Sequence, residues 1–418
     1  MASLPCSPCG NSFNDERQTD LNKTTIRVFC FVVGILLLLA FEILRVYFIM
    51  PFPGSQRAET IDLAYFLHNN LVYFRLLGLL LIAAPAIYFL RTGGTLAKAG
   101  VGLALVLVAV VFYFFNFRFL AEKMFYQPRH KVFAAAATNK IPMKNLVLGV
   151  HRNGEAKAYP LELIGYHHQV RDTIGGAPVL ITYCTVCRTG RVFNPILDGK
   201  LEAFRLVGMD HFNAMFEDAT TKSWWRQVNG EAIVGPRAGQ MLEELPSEQM
   251  RLAAWLEQYP NARIMQADSA FVEEYEGLQN YDEGKGASSL TRTDSLSWQD
   301  KSWIVGVQFG AGARAYDWNE LLAQRAINDT LQGVALLITV ENDSASFHVW
   351  QRDSLTFHFE AATLSLKDEQ TQSVWNWQGE CIAGALQGRR LPFVQSYQEF
   401  WHSWRTFRPH TTRYESRK

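Results

Sequence analysis

Apolar residues are concentrated near the N-terminus, where three long runs contain almost no charged positions. These runs are Ile26 to Met50, Leu71 to Leu90 and Leu96 to Phe117. A helix needs about 20 residues to cross a hydrocarbon core of roughly 30 Å, and each run is long enough. The first run is too long for a signal peptide, and no small-residue cleavage site follows it. The pattern therefore predicts three transmembrane helices, the first an uncleaved anchor.

Basic residues around these runs indicate how the helices are oriented. Three of them precede the first helix, and Arg91 and Lys98 flank the short loop between the second and third. Cytoplasmic segments carry an excess of Lys and Arg. We therefore expect residues 1–25 to form a cytoplasmic tail and residues 26–120 to form a three-helix domain of the inner (cytoplasmic) membrane. An odd number of crossings then places the remaining chain on the periplasmic or extracellular side.

After residue 120 the pattern changes to short strands separated by turns. A strand from Leu146 to Val150 and an Asn153-Gly154 turn predict a hairpin. A proline suits the first turn of a helix from Leu161 to His167. The β-rich segment Val179 to Tyr183 predicts a further strand, followed by two more strands, a loop, a Trp-rich strand and a helix near Leu252 to Gln258. We therefore expect an α+β region dominated by antiparallel strands.

This region also matches itself at an offset of 157 residues, which falls to about 150 farther along. The aligned pairs include Ala158-Tyr159 with Ala315-Tyr316, Leu180-Ile181-Thr182 with Leu337-Ile338-Thr339, Trp225 with Trp375, and Trp255 with Trp401. So many ordered matches predict an internal duplication. We expect a first module at 121–266, a linker at 267–300 and a second module at 301–418.

Two of the six cysteines distinguish the first copy from the second. Cys184-Thr185-Val186-Cys187 stands where the second copy has Glu341-Asn342-Asp343-Ser344. Asn-Asp-Ser between two strands is typical of a turn, so the cysteines are predicted at the first and fourth positions of a β-turn. Such positions have Cα atoms within about 7 Å, which permits a disulfide or the binding of one metal ion by both thiolates. A second pair, Cys6 and Cys9, lies in the predicted cytoplasmic tail and cannot share that ion.

Other candidate ligands occur near these cysteines in the sequence. The candidates are His167 and His168 at the end of the short helix, and His211 and Met215 in the loop after a strand from Leu201 to Val207. In the second copy, Gln and Arg replace the first two, and about four residues are missing near His211. This joint loss favours a functional site in the first copy. We therefore expect Cys184, Cys187, His167 and His211 to bind a soft transition metal such as copper or zinc.

The same residues resemble a prokaryotic family known only as a domain of unknown function. The matching residues are Ala158-Tyr159-Pro160, His167, Asp172, Gly175 to Val179, Thr182-Tyr183-Cys184-Thr185-Val186-Cys187, Asp218, Thr221, Ser223, Trp225, Gly230, Ala232-Ile233 and Gly235. The resemblance implies that His167 belongs with the cysteines, and it supplies no activity. The sequence departs from the family pattern at His168 and Ala219, where the family tends to have Glu and Arg.

Charge and motif content narrow the function classes. Forty basic side chains balance forty acidic ones, so there is no basic field for a nucleic-acid partner. No phosphate-binding loop is present, so we expect no nucleotide cofactor. Arg188 after the second cysteine disfavours c-type haem attachment, which requires His there. A thioredoxin-type enzyme is also disfavoured, because its CxxC lies at a helix N-terminus.

Two hypotheses remain from the sequence. The first is a membrane-anchored, outward-facing module with a Cys-x-x-Cys/His site, in which the thiols either bind a metal or cycle through a disulfide. In the redox version, Cys184 and Cys187 would be the catalytic residues. The second is a non-enzymatic factor that binds a small ligand or a membrane protein, with the cysteine pair as a structural disulfide.

Overall fold

The computed structural model describes residues 11–286 and 288–416, so Cys6 and Cys9 lie outside the described residues. The chain forms two compact units that divide between Met124 and Phe125. The helices of the first unit are α1 (Asn11–Tyr47), α2 (Ile61–Thr92), α3 (Thr95–Phe117) and α4 (Ala121–Met124). Among the described residues, α1, α2 and α3 are the three helices long and apolar enough to cross a membrane. The three predicted apolar helices are confirmed.

A buried polar cluster joins the three long helices. Arg45 Nη2 lies 3.1 Å from Glu42 Oε2 within α1. Arg75 of α2 places Nε 2.5 Å from Glu42 Oε1, and Asn116 of α3 donates from Nδ2 to Glu42 Oε2 at 3.0 Å. Charged side chains are costly among apolar helices unless they are paired. The cluster therefore fixes how α1, α2 and α3 pack together.

The second unit is rich in short strands, and two halves follow one another along its chain. The first half contains β1 (Phe133–Ala134), β2 (Leu146–Arg152), β3 (Glu155–Pro160), α5 (Leu161–His167), β4 (Gln169–Ile174), β5 (Ala177–Cys184), β6 (Thr189–Phe193), β7 (Ile196–Leu197), β8 (Lys200–Leu201), β9 (Phe204–Asp210), β10 (Asn213–Asp218), β11 (Trp224–Arg226), β12 (Ala232–Val234), β13 (Glu248–Arg251), α6 (Leu252–Gln258), β14 (Arg263–Met265) and α7 (Val272–Glu276). The second half contains β15 (Trp303–Phe309), β16 (Gly312–Asp317), α8 (Trp318–Gln324), β17 (Ala326–Leu331), β18 (Val334–Val340), β19 (Phe347–Gln351), β20 (Phe357–Glu360), β21 (Ser365–Asp368), β22 (Val374–Trp375), β23 (Cys381–Ala383), β24 (Ser396–Phe400), α9 (Trp401–Phe407) and β25 (Thr412–Arg413).

Both halves build their sheets in the same order. The first half has the order β13-β2-β3-β14, with β1 at the edge, and the second has β24-β15-β16-β25. β14 runs parallel to β3 and β25 runs parallel to β16, whereas the other pairs are antiparallel. The three-stranded sheets β4-β5-β6 and β17-β18-β19 also correspond, since Leu180 pairs with Phe193 and Leu337 with Trp350. Strands that are 157 residues apart in the sequence thus have corresponding partners in the two halves. The duplication itself stays a prediction.

The two halves contact each other through equivalent residues. Gln249 of β13 donates from Nε2 to Oε1 of Gln398 of β24 at 2.9 Å. These glutamines are equivalent because Gln249 pairs with Leu148 and Gln398 pairs with Val305, and Val305 lies 157 positions after Leu148. Direct contact between equivalent residues is the arrangement expected at an approximate two-fold axis.

The structure corrects the end of the repeat alignment. A Cβ on Gly149 would overlap the indole of Trp255, and a Cβ on Gly306 would overlap the indole of Trp404. Trp255 is therefore equivalent to Trp404, and the predicted match with Trp401 is wrong by three residues. The error arose because the second copy has tryptophan at both positions, and only the packing against glycine distinguishes them.

Other parts of the chain also differ in detail from the sequence analysis. The loop predicted after Val207 is the tight β9–β10 hairpin, so Met215 lies in a strand. The segment expected to be a linker contains α7 and two 3-10 turns, Ser269–Phe271 and Tyr281–Glu283. Tyr281 is fully buried in the core of the first half. The segment up to Glu283 therefore packs with the first half, whereas Trp298 packs edge-on against Trp401 of the second half.

Candidate functional site

The two cysteines lie at a tight connection between two buried strands. β5 ends at Cys184 and β6 begins at Thr189, which confirms the predicted turn. Arg188 closes the turn with a φ of 55°. Both cysteines are fully buried free thiols, and they approach each other to 3.3 Å. The turn therefore holds two thiols close enough for direct interaction.

The tip of the β9–β10 hairpin covers both sulfur atoms. The carbonyl oxygen of Phe212 lies 3.5 Å from Cys184 Sγ and 3.3 Å from Cys187 Sγ. Asn213 Nδ2 lies 3.5 Å from Cys187 Sγ. His211 and Phe212 both have positive φ angles, 48° and 66°, a conformation that costs energy for residues other than glycine. The two thiols are therefore covered by a hairpin tip, His211-Phe212, whose backbone conformation is strained.

The second half supplies the other side of the site. The backbone N–H of Phe400 donates to the Cys187 carbonyl at 2.9 Å. Lys301 donates from Nζ to the Val186 carbonyl at 2.7 Å, and its Nζ lies 3.1 Å from His402 Nε2. Burial, followed by the charge of Lys301, lowers the pKa of His402 to about 3. The imidazole is therefore neutral, and its Nε2 lies 3.1 Å from both Lys301 Nζ and the Val186 carbonyl.

The surroundings shift the two thiols in opposite directions. Burial raises the pKa of Cys184, but hydrogen bonds from the Cys187 thiol and from backbone N–H groups, with the charge of Lys301, outweigh it and leave that pKa lowered. Burial and the neighbouring Cys184 raise the pKa of Cys187, and a hydrogen bond with the Ser403 hydroxyl offsets this only in part. Of the two thiols, Cys184 therefore loses its proton more readily than Cys187.

Arg188, which follows the second cysteine in the sequence, has a different role. Its guanidinium group donates to Gln398 Oε1 at 3.0 Å, to the Tyr281 carbonyl at 3.0 Å and to the Asp282 carbonyl at 3.2 Å. It also lies 3.7 Å from the ring centroid of Trp303. Arg188 therefore ties together parts of both halves, and the positive charge that lowers the pKa of Cys184 comes from Lys301.

The two histidines of α5 form contacts of their own. His167 Nδ1 lies 2.5 Å from the Tyr126 carbonyl, and its Nε2 lies 2.6 Å from the Tyr275 hydroxyl. A carbonyl only accepts, so Nδ1 carries the proton and Nε2 accepts from Tyr275. His168 Nδ1 bonds to the Gly165 carbonyl at 2.6 Å, and burial lowers the pKa of His168 to about 4. Both ring nitrogens of the predicted ligand His167 are therefore engaged: Nδ1 donates to the Tyr126 carbonyl, and Nε2 accepts from the Tyr275 hydroxyl.

His211 lies beside the cover of the thiols, where its Nδ1 is 2.7 Å from Asp210 Oδ1. The structure thus brings Cys184 and Cys187 together and places His211 at the neighbouring hairpin tip, while His167 lies among the aromatic residues around α7. Across residues 11–286 and 288–416, no three His, Cys, Asp or Glu side chains are grouped to hold a metal ion.

Several residues of the recognised sequence pattern form a framework that both halves share. Trp225 donates from Nε1 to Asp218 at 2.9 Å, and Trp375 donates to Asp368 at 3.0 Å. The same holds for Tyr159 with Asp172 at 2.7 Å and Tyr316 with Asp329 at 2.8 Å. Because the second half keeps these bonds without the cysteines, they stabilise the fold and leave the thiol pair as the distinguishing chemistry.

Four side chains of the second half lie near the thiols and were not predicted from the sequence: Lys301, Glu399, His402 and Ser403. They lie more than 100 positions from the cysteines, so no local pattern links them. A signal was nevertheless present in the repeat. With Trp255 aligned to Trp404, alanines of α6 stand opposite His402 and Ser403, a difference that the misplaced alignment concealed.

Fold and site together define a class of protein: apolar N-terminal helices suited to a membrane, followed by a sheet-rich unit with a buried dithiol. The chain belongs to the DUF3179 family, described as proteins of unknown function, whose family model matches residues 127–411. The match spans both halves of the second unit. No curated protein and no solved structure matched the chain.

Replacing Phe212 by alanine is expected to speed alkylation of Cys184 and Cys187 roughly fivefold, because an aromatic contact of about 1 kcal/mol is lost. The Phe212 ring packs edge-on against His402 at 6.2 Å, and the remaining hairpin keeps its unfavourable backbone. Labelling with a maleimide, followed residue by residue with peptide mass spectrometry, measures the rate. Phe393→Ala, which removes a ring elsewhere in the second half, is the control. Unchanged labelling in Phe212→Ala would contradict the role of the hairpin as a cover.

Proposed function

We propose that the second unit is a thiol–disulfide exchange module that the apolar helices attach to a membrane. Cys184 and Cys187 would alternate between a dithiol and a disulfide. The observation that carries this proposal is the approach of two buried thiols to 3.3 Å in a tight turn between strands. A disulfide requires sulfur atoms about 2.05 Å apart, so small side-chain rotations suffice to close the bond.

The exchange reaction follows from the different protonation of the two thiols. The Cys184 thiolate attacks one sulfur of a substrate disulfide, forms a mixed disulfide and releases the other sulfur as a thiolate. Cys187 then loses its proton and attacks Cys184 Sγ, which releases the second substrate thiolate. Both leaving thiolates take up protons. The substrate disulfide is thereby reduced by two electrons, and the cysteine pair is oxidised to a disulfide.

The location proposed for this chemistry is the outer side of the inner membrane. The basic residues before α1 and between α2 and α3 support a cytoplasmic N-terminus, and three crossings would then place the second unit outside. Disulfides persist in such oxidising compartments. The burial of both thiols implies that the hairpin over them opens during exchange, which favours small or extended disulfide substrates.

The surroundings of His167 favour exchange over a Cys/His metal site. Its unprotonated Nε2 accepts from Tyr275 at 2.6 Å, so metal binding there would require this bond to break. The lowered pKa of Cys184 is also in keeping with exchange, because the thiolate is the attacking species in that reaction.

Trapping of the intermediate tests this function in the full chain in detergent micelles. With glutathione disulfide as the probe, Cys187→Ser is expected to accumulate glutathione on Cys184, because no thiol remains to resolve the mixed disulfide. The matched variant Cys184→Ser is expected to accumulate at least tenfold less, because the pKa of Cys187 is raised.

Metal analysis of the same samples separates the competing functions. One equivalent of copper or zinc in the wild-type protein, lost in both serine variants, would establish a metal site and contradict the exchange function. A Cys184–Cys187 disulfide that glutathione and dithiothreitol leave intact would identify a structural crosslink instead.

A further inference from the structure

Equivalent positions of the two halves differ in polarity where each half contacts the other. Glu399 pairs with Ile304 in the second half, and Met250 pairs with Val147, 157 positions earlier. Glu399 and Met250 are therefore equivalent. The helices α9 and α6 begin directly after these strands, so Ser403 is equivalent to Ala254. The half that contacts the cysteines thus has polar residues where the other half has apolar ones.

The polar residues form a continuous path to one thiol. Ser403 neighbours the Cys187 thiol, and its hydroxyl donates to Glu399 Oε1 at 2.6 Å. The other carboxylate oxygen, Glu399 Oε2, lies 3.2 Å from Arg191 Nη2. All four side chains are fully buried. Bulk water is therefore absent from the path, and a proton leaving Cys187 needs an acceptor within the protein.

We infer that Ser403 and Glu399 together accept the proton of Cys187 in the second step of exchange, so that the cysteine-free half is a working part of the site. This inference rests on the proposed exchange function. Ser403 contacts the reacting thiol, whereas Glu399 acts through Ser403 and is a positioning residue.

The need for the path arises when the mixed disulfide forms. Before that step, the Cys187 thiol has two acceptors within reach, the Cys184 sulfur and the Phe212 carbonyl at 3.3 Å. After Cys184 has reacted, the carbonyl remains, but it is too weak a base to take the proton, and Ser403 is the neighbouring group that can pass it to a carboxylate. The thiol proton passes to Ser403 Oγ while the hydroxyl proton passes to Glu399 Oε1. Cys187 becomes a thiolate that attacks Cys184 Sγ, and the neutral Glu399 returns its proton to the departing substrate thiolate.

Other charged groups near the path have different partners. These groups are Arg191, Glu244, Tyr397 and Arg408 around Glu399, and Lys301 and His402 beside the cysteine turn. Lys301 is a cation that already donates to the Val186 carbonyl, so it stabilises negative charge and does not accept a proton. Arg191 contacts Oε2 of Glu399, so Oε1 is the carboxylate oxygen that faces Ser403.

The test measures the two steps of exchange separately in the full chain with glutathione disulfide. In Ser403→Ala, formation of the mixed disulfide at Cys184 is expected to remain at the wild-type rate. Release of glutathione by Cys187 is expected to slow about 100-fold at pH 7, the usual effect of losing a general base. The release rate should then rise tenfold per pH unit, since hydroxide must take the proton.

Three further variants make the result specific. Ser403→Thr keeps the hydroxyl and should release glutathione at the wild-type rate. Glu399→Gln should slow release in the same pH-dependent way as Ser403→Ala, and Ala254→Ser on the equivalent helix should change neither step. Thermal unfolding verifies that each variant is folded. If folded Ser403→Ala released glutathione at the wild-type rate and with the wild-type pH dependence, the inference would be overturned. Absence of any mixed disulfide in the wild-type and Cys187→Ser chains would instead contradict the exchange function itself.

Discussion

Replacement of Arg188 by alanine is expected to lower the free energy of unfolding of the second unit by roughly 4 kcal/mol. The side chain is fully buried, and it donates to Gln398 Oε1 and to the carbonyls of Tyr281 and Asp282. Its removal leaves the Tyr281 and Asp282 carbonyls without this donor, while Gln398 Oε1 keeps the bond from Gln249. It also opens a cavity beside Trp303, against which the guanidinium packs. Lysine cannot reach all three acceptors, so Arg188→Lys should be nearly as destabilising.

Denaturant unfolding of the full chain, followed by tryptophan fluorescence, measures this loss. Arg390→Ala is the matched control. Arg390 forms an ion pair with Glu380 at 2.9 Å in which both side chains are exposed, and such pairs contribute only about 0–1 kcal/mol. A loss below about 1 kcal/mol in Arg188→Ala would show that this residue does not hold the two halves together.

The stability of the second unit is expected to depend on pH through His348. This residue is buried, with Nε2 2.7 Å from Glu341 Oε1 and Nδ1 3.6 Å from Glu248 Oε2. Burial alone lowers the pKa of His348, but the two carboxylates outweigh it and raise the pKa to about 9. Because the folded pKa lies above the unfolded value, the ion cluster stabilises the fold fully below about pH 6.5. That stabilisation is lost as the pH rises through about 9.

The expected size of this effect is roughly 3 kcal/mol, from a shift of about two and a half pH units. Unfolding free energies of the wild type and His348→Gln should differ most near pH 6 and converge near pH 10. His410→Gln, at an exposed position, should leave the pH dependence unchanged. A difference between the wild type and His348→Gln that is constant with pH would contradict the charged state assigned to His348.

Local features of the fold could be predicted from the sequence because short-range chemistry determines them. The helix Leu161–His167 follows a proline and is observed at its predicted bounds. The turn at Cys184 was predicted from the turn-forming residues of the second copy, and the apolar helices from length alone. The β9–β10 hairpin was missed because its tip, His211-Phe212, has no Asn or Gly to indicate positive φ angles.

The composition of the site could be predicted only in part. The cysteine pair follows from spacing, whereas Ser403 and Glu399 reach it through contacts between the halves that no local pattern encodes. His167 was grouped with the cysteines because it ends the helix before their strand and because a related pattern includes it. The structure instead places its ring against Tyr275, since the segment expected to be a linker folds back over α5.

A redox titration of Cys184 and Cys187 in the full chain tests the central claim most directly. The protein is equilibrated in glutathione or dithiothreitol buffers, and peptide mass spectrometry measures the two cysteines in each state. The exchange function predicts that both are oxidised together in one reversible two-electron transition, with a midpoint between about −300 and −120 mV. Thiols that stay reduced throughout this range, or a disulfide that never opens within it, would contradict the account.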